Sequence, residues 1–194
     1  MSNQHTYVAI MAGGIGSRFW PSSRSHRPKQ FLDILGTGET LIQATFNRFK
    51  QLVSADRIFI VTNGIYKDLV KEQLPELTDN QIICEPSRNN TAPCVALTAL
   101  KIHALDENAN LIIAPSDHLI LKEGVFIDKL KIAVDFAEKN DALLTLGIQP
   151  SRPDTGYGYI NYDVSSTGAV KKVKRFTEKP PLETAQAFLE SGDY

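Results

Sequence analysis

The segment that most constrains this chain is its first apolar run, Tyr7 to Met11, because a glycine-rich, basic stretch comes directly after it. Gly13, Gly14 and Gly16 open that stretch, then Arg18, Arg24, Arg27 and Lys29, with no Asp or Glu before Asp33. A short apolar run that breaks straight into glycines reads as a buried strand ending in a turn. Glycine lets backbone N–H groups approach a ligand closely, and Arg and Lys neutralise phosphate oxygens. The formal net charge is only −1, so this basic character is local. The run reads as a site for a polyanionic phosphate ligand at the end of a first strand. A plain turn beside a solvated basic loop explains each feature singly but not their coincidence. A P-loop is excluded, since G-x-x-x-x-G-K-[ST] does not occur. The G-x-G-x-x-G fingerprint fails because Phe19 stands where the third glycine belongs.

Downstream, strand-like and helical patterns alternate. Tyr7–Met11, Ile58–Thr62, Gln81–Cys84, Leu111–Ala114 and Ala142–Leu146 are short apolar runs, as expected of strands buried on both faces. Helices are expected near Leu41–Leu52, Tyr66–Gln73, Ala92–Leu105 and Val125–Lys139. In the last, Val125, Ile127, Leu130, Ile132, Ala133, Phe136 and Ala137 mark one apolar side. Asn63-Gly64, and Thr91 before Ala92, read as helix starts. This order argues for an α/β fold, a mostly parallel sheet with helices on both faces. Ligands then bind at the carboxyl ends of the strands, where Gly13–Arg18, Glu85–Pro93 and Pro115–His118 all fall. After Pro153 the texture changes. Tyr157–Asp163 and Val170–Phe176 read as a hairpin turned at Ser165–Gly168, and Leu182–Ser191 as a closing helix before Gly192.

At 194 residues, 42% hydrophobic and 22% charged, the chain is expected to be one domain with a real core. No apolar run approaches the roughly 20 residues of a membrane span, and MSNQHTYV has no signal-peptide character. Cys84 and Cys94 are too few for a disulfide framework and are expected to be small buried side chains. A cytoplasmic protein without nucleic-acid or membrane partners fits this composition, and a homo-oligomer is left open.

Gly13-Gly14-Ile15-Gly16-Ser17-Arg18, then Pro21, then Pro28-Lys29, resembles the signature of the sugar-1-phosphate nucleotidyltransferases. The version with Phe19-Trp20-Pro21 and Arg27-Pro28-Lys29-Gln30-Phe31 is similar to that of the mannose-1-phosphate guanylyltransferases. Agreement continues in order through Glu85-Pro86 to Thr91-Ala92-Pro93, Pro115-Ser116-Asp117-His118, Thr155–Ile160 and Phe176-Thr177-Glu178-Lys179-Pro180. The resemblance implies a Rossmann-like nucleotide-diphospho-sugar transferase fold with a C-terminal hairpin. It also implies a reaction: GTP plus mannose 1-phosphate gives GDP-mannose and pyrophosphate, by in-line attack on the α-phosphorus. The nucleophile is already anionic near neutral pH, so positioning and charge stabilisation matter more than a general base. Residues 1–150 would form the nucleotide-binding part and 151–194 the start of a sugar-binding part.

By the same resemblance, Arg18 and Lys29 are the catalytic cations on the triphosphate. Ala12, Gly13, Gly14, Gly16 and Ser17 line the nucleotide, with Glu85, Asn89, Asn90 and Thr91 near the base. A carboxylate such as Glu85 suits guanine N1–H and N2–H₂. Arg24, Arg27 and Arg88 can serve the phosphates or face solvent, and His26 reads as a surface residue. Asp117 offers a hard oxygen for Mg²⁺, with Mn²⁺ as an alternative, and is otherwise a turn Asp. His118 reads as structural, since imidazole is a poor Mg²⁺ ligand. Gly156, Gly158 and Tyr159 are assigned to the sugar, beside Tyr157. Glu178 is assigned to the sugar hydroxyls and Lys179 to the sugar phosphate. Lys171, Lys172, Lys174 and Arg175 read as an exposed basic strand.

The family pattern continues with a second metal-binding Asp from a later segment. Here only Asp193 comes after the sugar region, in a context that does not match. The expectation is a chain truncated on its C-terminal side, in which nucleotide binding survives better than turnover. The alternatives are a nucleotidyltransferase for another sugar 1-phosphate, or a non-catalytic or partner-dependent nucleotide-sugar-binding fragment.

Overall fold

The computed structural model describes residues 3–87 and 90–194, with the side chains of Asn3 and Arg18 outside the description. The chain divides into two compact units, Met1–Asp128 and Lys129–Tyr194. The first unit holds β1 (Thr6–Met11), α1 (Leu41–Phe49), β2 (Ile58–Asn63), α2 (Lys67–Gln73), β3 (Ile82–Glu85), α3 (Thr91–His103) and β4 (Asn110–Pro115). All four strands are parallel, in the order β3-β2-β1-β4. The chain therefore builds outward from β1 to β3 on one side, then returns to lay β4 along the other side of β1. That reversal makes a crevice at the carboxyl ends of β1 and β4, the usual place for a ligand in an open parallel sheet.

Strand alternation explains the core. Ala9, Phe59, Val61 and Ile83 pack with Cys94 and Ile102 of α3. Val8, Ile10, Ile58 and Ile60 point the other way and are fully buried, so the sheet is covered on both faces. On α1, Ile42, Phe46 and Phe49 are buried, and a Thr40–Gln43 capping box satisfies the first turn. Asn63 accepts from the Ile65 N–H and opens a 3₁₀ turn over Gly64–Tyr66 before α2. The helix expected over Ala92–Leu105, with Thr91 before it, runs Thr91–His103, with Asn90 as its N-cap.

The last helix of this order, α4 (Glu123–Ala137), buries Ile127, Leu130 and Val134, while Val125 and Ile132 of the expected apolar side are exposed. In the second unit, β5 (Gly158–Tyr162) and β6 (Val173–Glu178) form an antiparallel pair, followed by α5 (Leu182–Ser191). The Tyr159 ring packs near Phe188 of α5, which lies face to face with Tyr194 at 3.8 Å.

Two expectations fail. Ala142–Leu146 forms no strand among the described residues, and Leu143 and Ile148 are exposed. An apolar run becomes a strand only where a sheet edge offers ladder partners, and that condition is not written in the run itself. Cys94 is buried as expected, but Cys84 is exposed. Cys84 sits on β3, an outermost strand of the sheet, whose buried residues are Ile82 and Ile83.

Candidate functional site

Met11 ends β1, and the next residue already turns its backbone away from the ladder. The Ala12 N–H still donates to Val61 O at 2.7 Å, but the Ala12 carbonyl is taken by side chains. Thr62 Oγ1 donates to it at 2.9 Å and Gln30 Nε2 at 2.9 Å. The same Gln30 nitrogen donates to Gly14 O at 2.8 Å, and Ser23 Oγ donates to Ile15 O at 3.3 Å. Thr62, Gln30 and Ser23 are all buried. They hold the inner side of the Ala12–Ser17 loop from three separate segments.

Two of the glycines are required by this geometry. Gly16 has φ +64°, and a Cβ there would stand 2.5 Å from Ser23 Oγ and 3.0 Å from the Lys29 backbone nitrogen. A Cβ on Gly13 would stand 3.2 Å from Glu85 Oε2. Gly14 and Ser17 are exposed along the same loop, and Arg18 lies in the 3₁₀ turn Ser17–Phe19.

Lys29 and Asp117 meet. The Lys29 ammonium pairs with the Asp117 carboxylate, each side chain about a quarter exposed, and also stands 5.4 Å from the centre of the Phe19 ring. Asp117 is delivered by the end of β4: the Ser116 N–H donates to Met11 O at 3.1 Å and Thr45 Oγ1 to Ser116 O at 3.2 Å. Two expected site residues far apart in sequence are thereby joined in the β1–β4 crevice. His118, His26, Arg24 and Arg27 are exposed, and Arg24 lies 5.6 Å from the Trp20 ring.

Glu85 ends β3 with its carboxylate against Gly13 and the Cys94 thiol. Burial first, and the neighbouring Glu85 charge second, push that thiol up to about 11. Asn90 and Thr91 are exposed at the start of α3. Asn89, expected beside them, and Arg88 lie outside the described residues.

In the second unit the hairpin register places Gly158 opposite Glu178. A Cβ on Gly158 would stand 2.9 Å from Glu178 Oε2, and the Lys179 ammonium pairs with Glu178 at 2.5 Å. The Lys179 N–H donates to Tyr157 O at 3.2 Å, which closes this end of the ladder. Asp154 Oδ1 accepts from the Gly156 N–H at 2.8 Å. Tyr159 is the aromatic that the sequence assigns to the sugar. It is buried, and its hydroxyl accepts from the Asp154 N–H at 2.8 Å and donates to the Asp154 carbonyl at 3.1 Å. Alternation from an exposed Gly158 turns Tyr159 inward, so the exposed aromatic of this segment is Tyr157.

For a divalent cation, no group of three His, Cys, Asp or Glu side chains comes together among the described residues. Mg²⁺ is commonly held by one or two carboxylates, with phosphate oxygens and water completing the shell. Asp117 fits as the protein part of such a site, with a hard oxygen beside a phosphate-type loop. The residues missed in the sequence were Gln30, Ser23 and Thr62. Each is an ordinary polar side chain whose importance comes from burial against a carbonyl, which periodicity does not reveal.

Known proteins resemble this chain along nearly its whole length. Residues 7–194 match the nucleotidyl transferase family. A curated mannose-1-phosphate guanylyltransferase of Salmonella montevideo is 44% identical over 193 residues, covering 95% of this chain and 40% of the relative. One from Escherichia coli K12 is 40% identical, covering 100% of this chain and 42% of the relative. A crystal structure described as mannose-1-phosphate geranyltransferase from Thermus thermophilus superposes with TM-score 0.87 at 33% identity, over 97% of this chain and 54% of that one. This chain thus spans about two-fifths of the length of these curated relatives. With its glycine loop, its parallel sheet and a match running almost from end to end, the chain belongs to the nucleotidyl transferase family.

Proposed function

We propose that this chain carries the nucleotide-binding part, within residues 1–150, and the beginning of the sugar-binding part, within 151–194, of an enzyme that transfers GMP from GTP to mannose 1-phosphate. The products are GDP-mannose and pyrophosphate. The single observation that carries the reading is the meeting of Lys29 and Asp117 beside the Ala12–Ser17 loop. A cation for phosphate and a hard carboxylate for a cation are what a nucleoside triphosphate with its counter-ion needs at one point. The names of the curated relatives supply the guanine and mannose assignments.

In this reading the loop N–H groups and Lys29 hold the triphosphate, with Arg18 as the second cation. A phosphate oxygen of the sugar phosphate attacks the α-phosphorus, and the bond from that phosphorus to pyrophosphate breaks. Lys29 and Arg18 neutralise the charge that moves onto the leaving group. Asp117 would hold a divalent cation, Mg²⁺ or Mn²⁺, which when bound neutralises phosphate oxygens. Ala12, Gly13, Gly14, Gly16 and Ser17 bring backbone to the nucleotide, and Glu85, Asn89, Asn90 and Thr91 serve the base. Gly156 and Gly158 give the sugar ring access to backbone, Glu178 takes sugar hydroxyls and Lys179 the sugar phosphate. Tyr159 supports that turn from beneath. The reading includes a cytoplasmic site of action; no described helix is long and apolar enough to cross a membrane.

Among the described residues Asp117 joins no group of three His, Cys, Asp or Glu side chains, which favours one second reading: a chain that binds nucleotide but needs a further segment or partner for turnover. Pyrophosphate release with mannose 1-phosphate and Mg²⁺, compared among GTP, UTP, dTTP and ATP, separates them. GTP-selective release that is lost in Asp117→Ala supports the enzyme. GTP binding without release supports the second reading, and equal release with all four overturns the guanine assignment.

A further inference from the structure

We infer that Gln30 is the positioning residue that sets the glycine loop for phosphate, by holding two carbonyls so that two backbone N–H groups face the ligand. The inference rests on the phosphate-site reading above and adds the residue that shapes that site.

Gln30 lies in the 3₁₀ turn Lys29–Phe31 and is 2% exposed. Its amide nitrogen donates both of its hydrogens inward, to Ala12 O at 2.9 Å and Gly14 O at 2.8 Å. A trans peptide unit carries its C=O and N–H in opposite directions. Turning the Ala12 carbonyl toward Gln30 therefore turns the Gly13 N–H away, and turning the Gly14 carbonyl inward turns the Ile15 N–H away. Neither N–H has a backbone acceptor among the described residues. Backbone N–H groups turned outward from one loop, here two residues apart, can line a concave anion site.

The nearest neutral or isosteric side chains do not do this from the same place. Glu presents acceptors only, and Met presents no donor. Asn lacks the methylene needed to reach both carbonyls. Lys29, next in the chain, delivers its ammonium to the same crevice while its backbone carbonyl accepts from the Leu32 N–H. One short turn therefore supplies the charge and also orients the dipoles around it.

The test is calorimetric binding of inorganic tripolyphosphate, GTP and guanosine to the intact chain and to Gln30→Met. Losing one to two oriented N–H contacts with an anion is expected to weaken tripolyphosphate and GTP by about 10- to 100-fold, with guanosine changed less than about threefold. A merely structural role would weaken all three ligands together, and that result overturns the inference. Equal tripolyphosphate affinity in both chains overturns it as well. A wild-type chain that binds neither anion overturns the phosphate-site reading and this inference with it, which separates that failure from failure at Gln30 alone. Should Gln30→Met not fold, amide exchange in the wild-type chain decides. Gly13 and Ile15 N–H are expected to exchange fast in the free chain and slowly with tripolyphosphate, and protection already present in the free chain contradicts the proposal.

Discussion

In the Ala12–Ser17 loop, the carbonyls of Ala12, Gly14 and Ile15 are each held by a buried side chain from another segment. In the β5–β6 hairpin, Glu178 and Lys179 hold each other in solvent, with side chains 72% and 62% exposed. Both regions join glycines to charged groups, but the first is fixed before any ligand arrives. The second is a two-stranded ladder whose β6 residues are mostly exposed, and such a ladder alone is marginal. A preset loop loses little freedom on binding, whereas an exposed ion pair must be ordered by the ligand it receives. On the proposed function, the Ala12–Ser17 loop should therefore carry affinity and rate, and the hairpin should mainly select.

The largest break in that contrast is expected from Lys29→Ala. If Lys29 stabilises developing charge as proposed, its loss should lower pyrophosphate release on the order of 10²- to 10³-fold, with the thermal midpoint nearly unchanged, as stopped-time assays and a melt will show. Next comes the pair of glycine substitutions. Gly16→Ala forces a side chain onto φ +64° against Ser23 and the Lys29 backbone, and should cost about 1–3 kcal/mol in denaturant titrations. Gly158→Ala meets only the movable end of Glu178 and should cost less than about 1 kcal/mol.

A smaller effect is expected from Glu178→Gln with Lys179→Met. The KM for mannose 1-phosphate should rise about tenfold while GTP affinity stays within about twofold, and a fall in GTP affinity would dissolve the division of labour. Smallest is the alkaline limit set by Cys94. Its thiol is pushed from 9.0 to about 11, so the neutral form is favoured in the folded chain. That contribution to stability is fully present below the ordinary thiol range and is lost as pH rises through about 11. Urea titrations at pH 8 and at higher pH should show a decline that Cys94→Ala reduces, while near pH 8 a thiol reagent modifies exposed Cys84 first.

Much of the first unit was legible because its signals are local. β1, β2 and β4 are apolar runs with turn residues behind them, and the hairpin carries its own turn at Ser165–Gly168. The strand order was not written in any one segment, and neither was the Lys29–Asp117 meeting, which depends on β4 returning to the far side of β1. The expected strand at Ala142–Leu146 failed for the complementary reason, since ladder pairing belongs to two segments at once. Gln30 was visible only as part of a motif, between a lysine and a phenylalanine. What sets it apart is burial against two carbonyls, and the Tyr159 hydroxyl likewise meets backbone, that of Asp154, which its place in the motif does not reveal.

Guanylyl transfer by this site is tested most directly by ³¹P NMR of the intact chain incubated with GTP, mannose 1-phosphate and Mg²⁺. The expected result is the paired resonances of a nucleoside diphosphate sugar growing together with pyrophosphate as GTP and the sugar phosphate decline. GTP converted to GDP and orthophosphate with the sugar phosphate untouched would contradict it, because the site would then be activating water instead of the sugar.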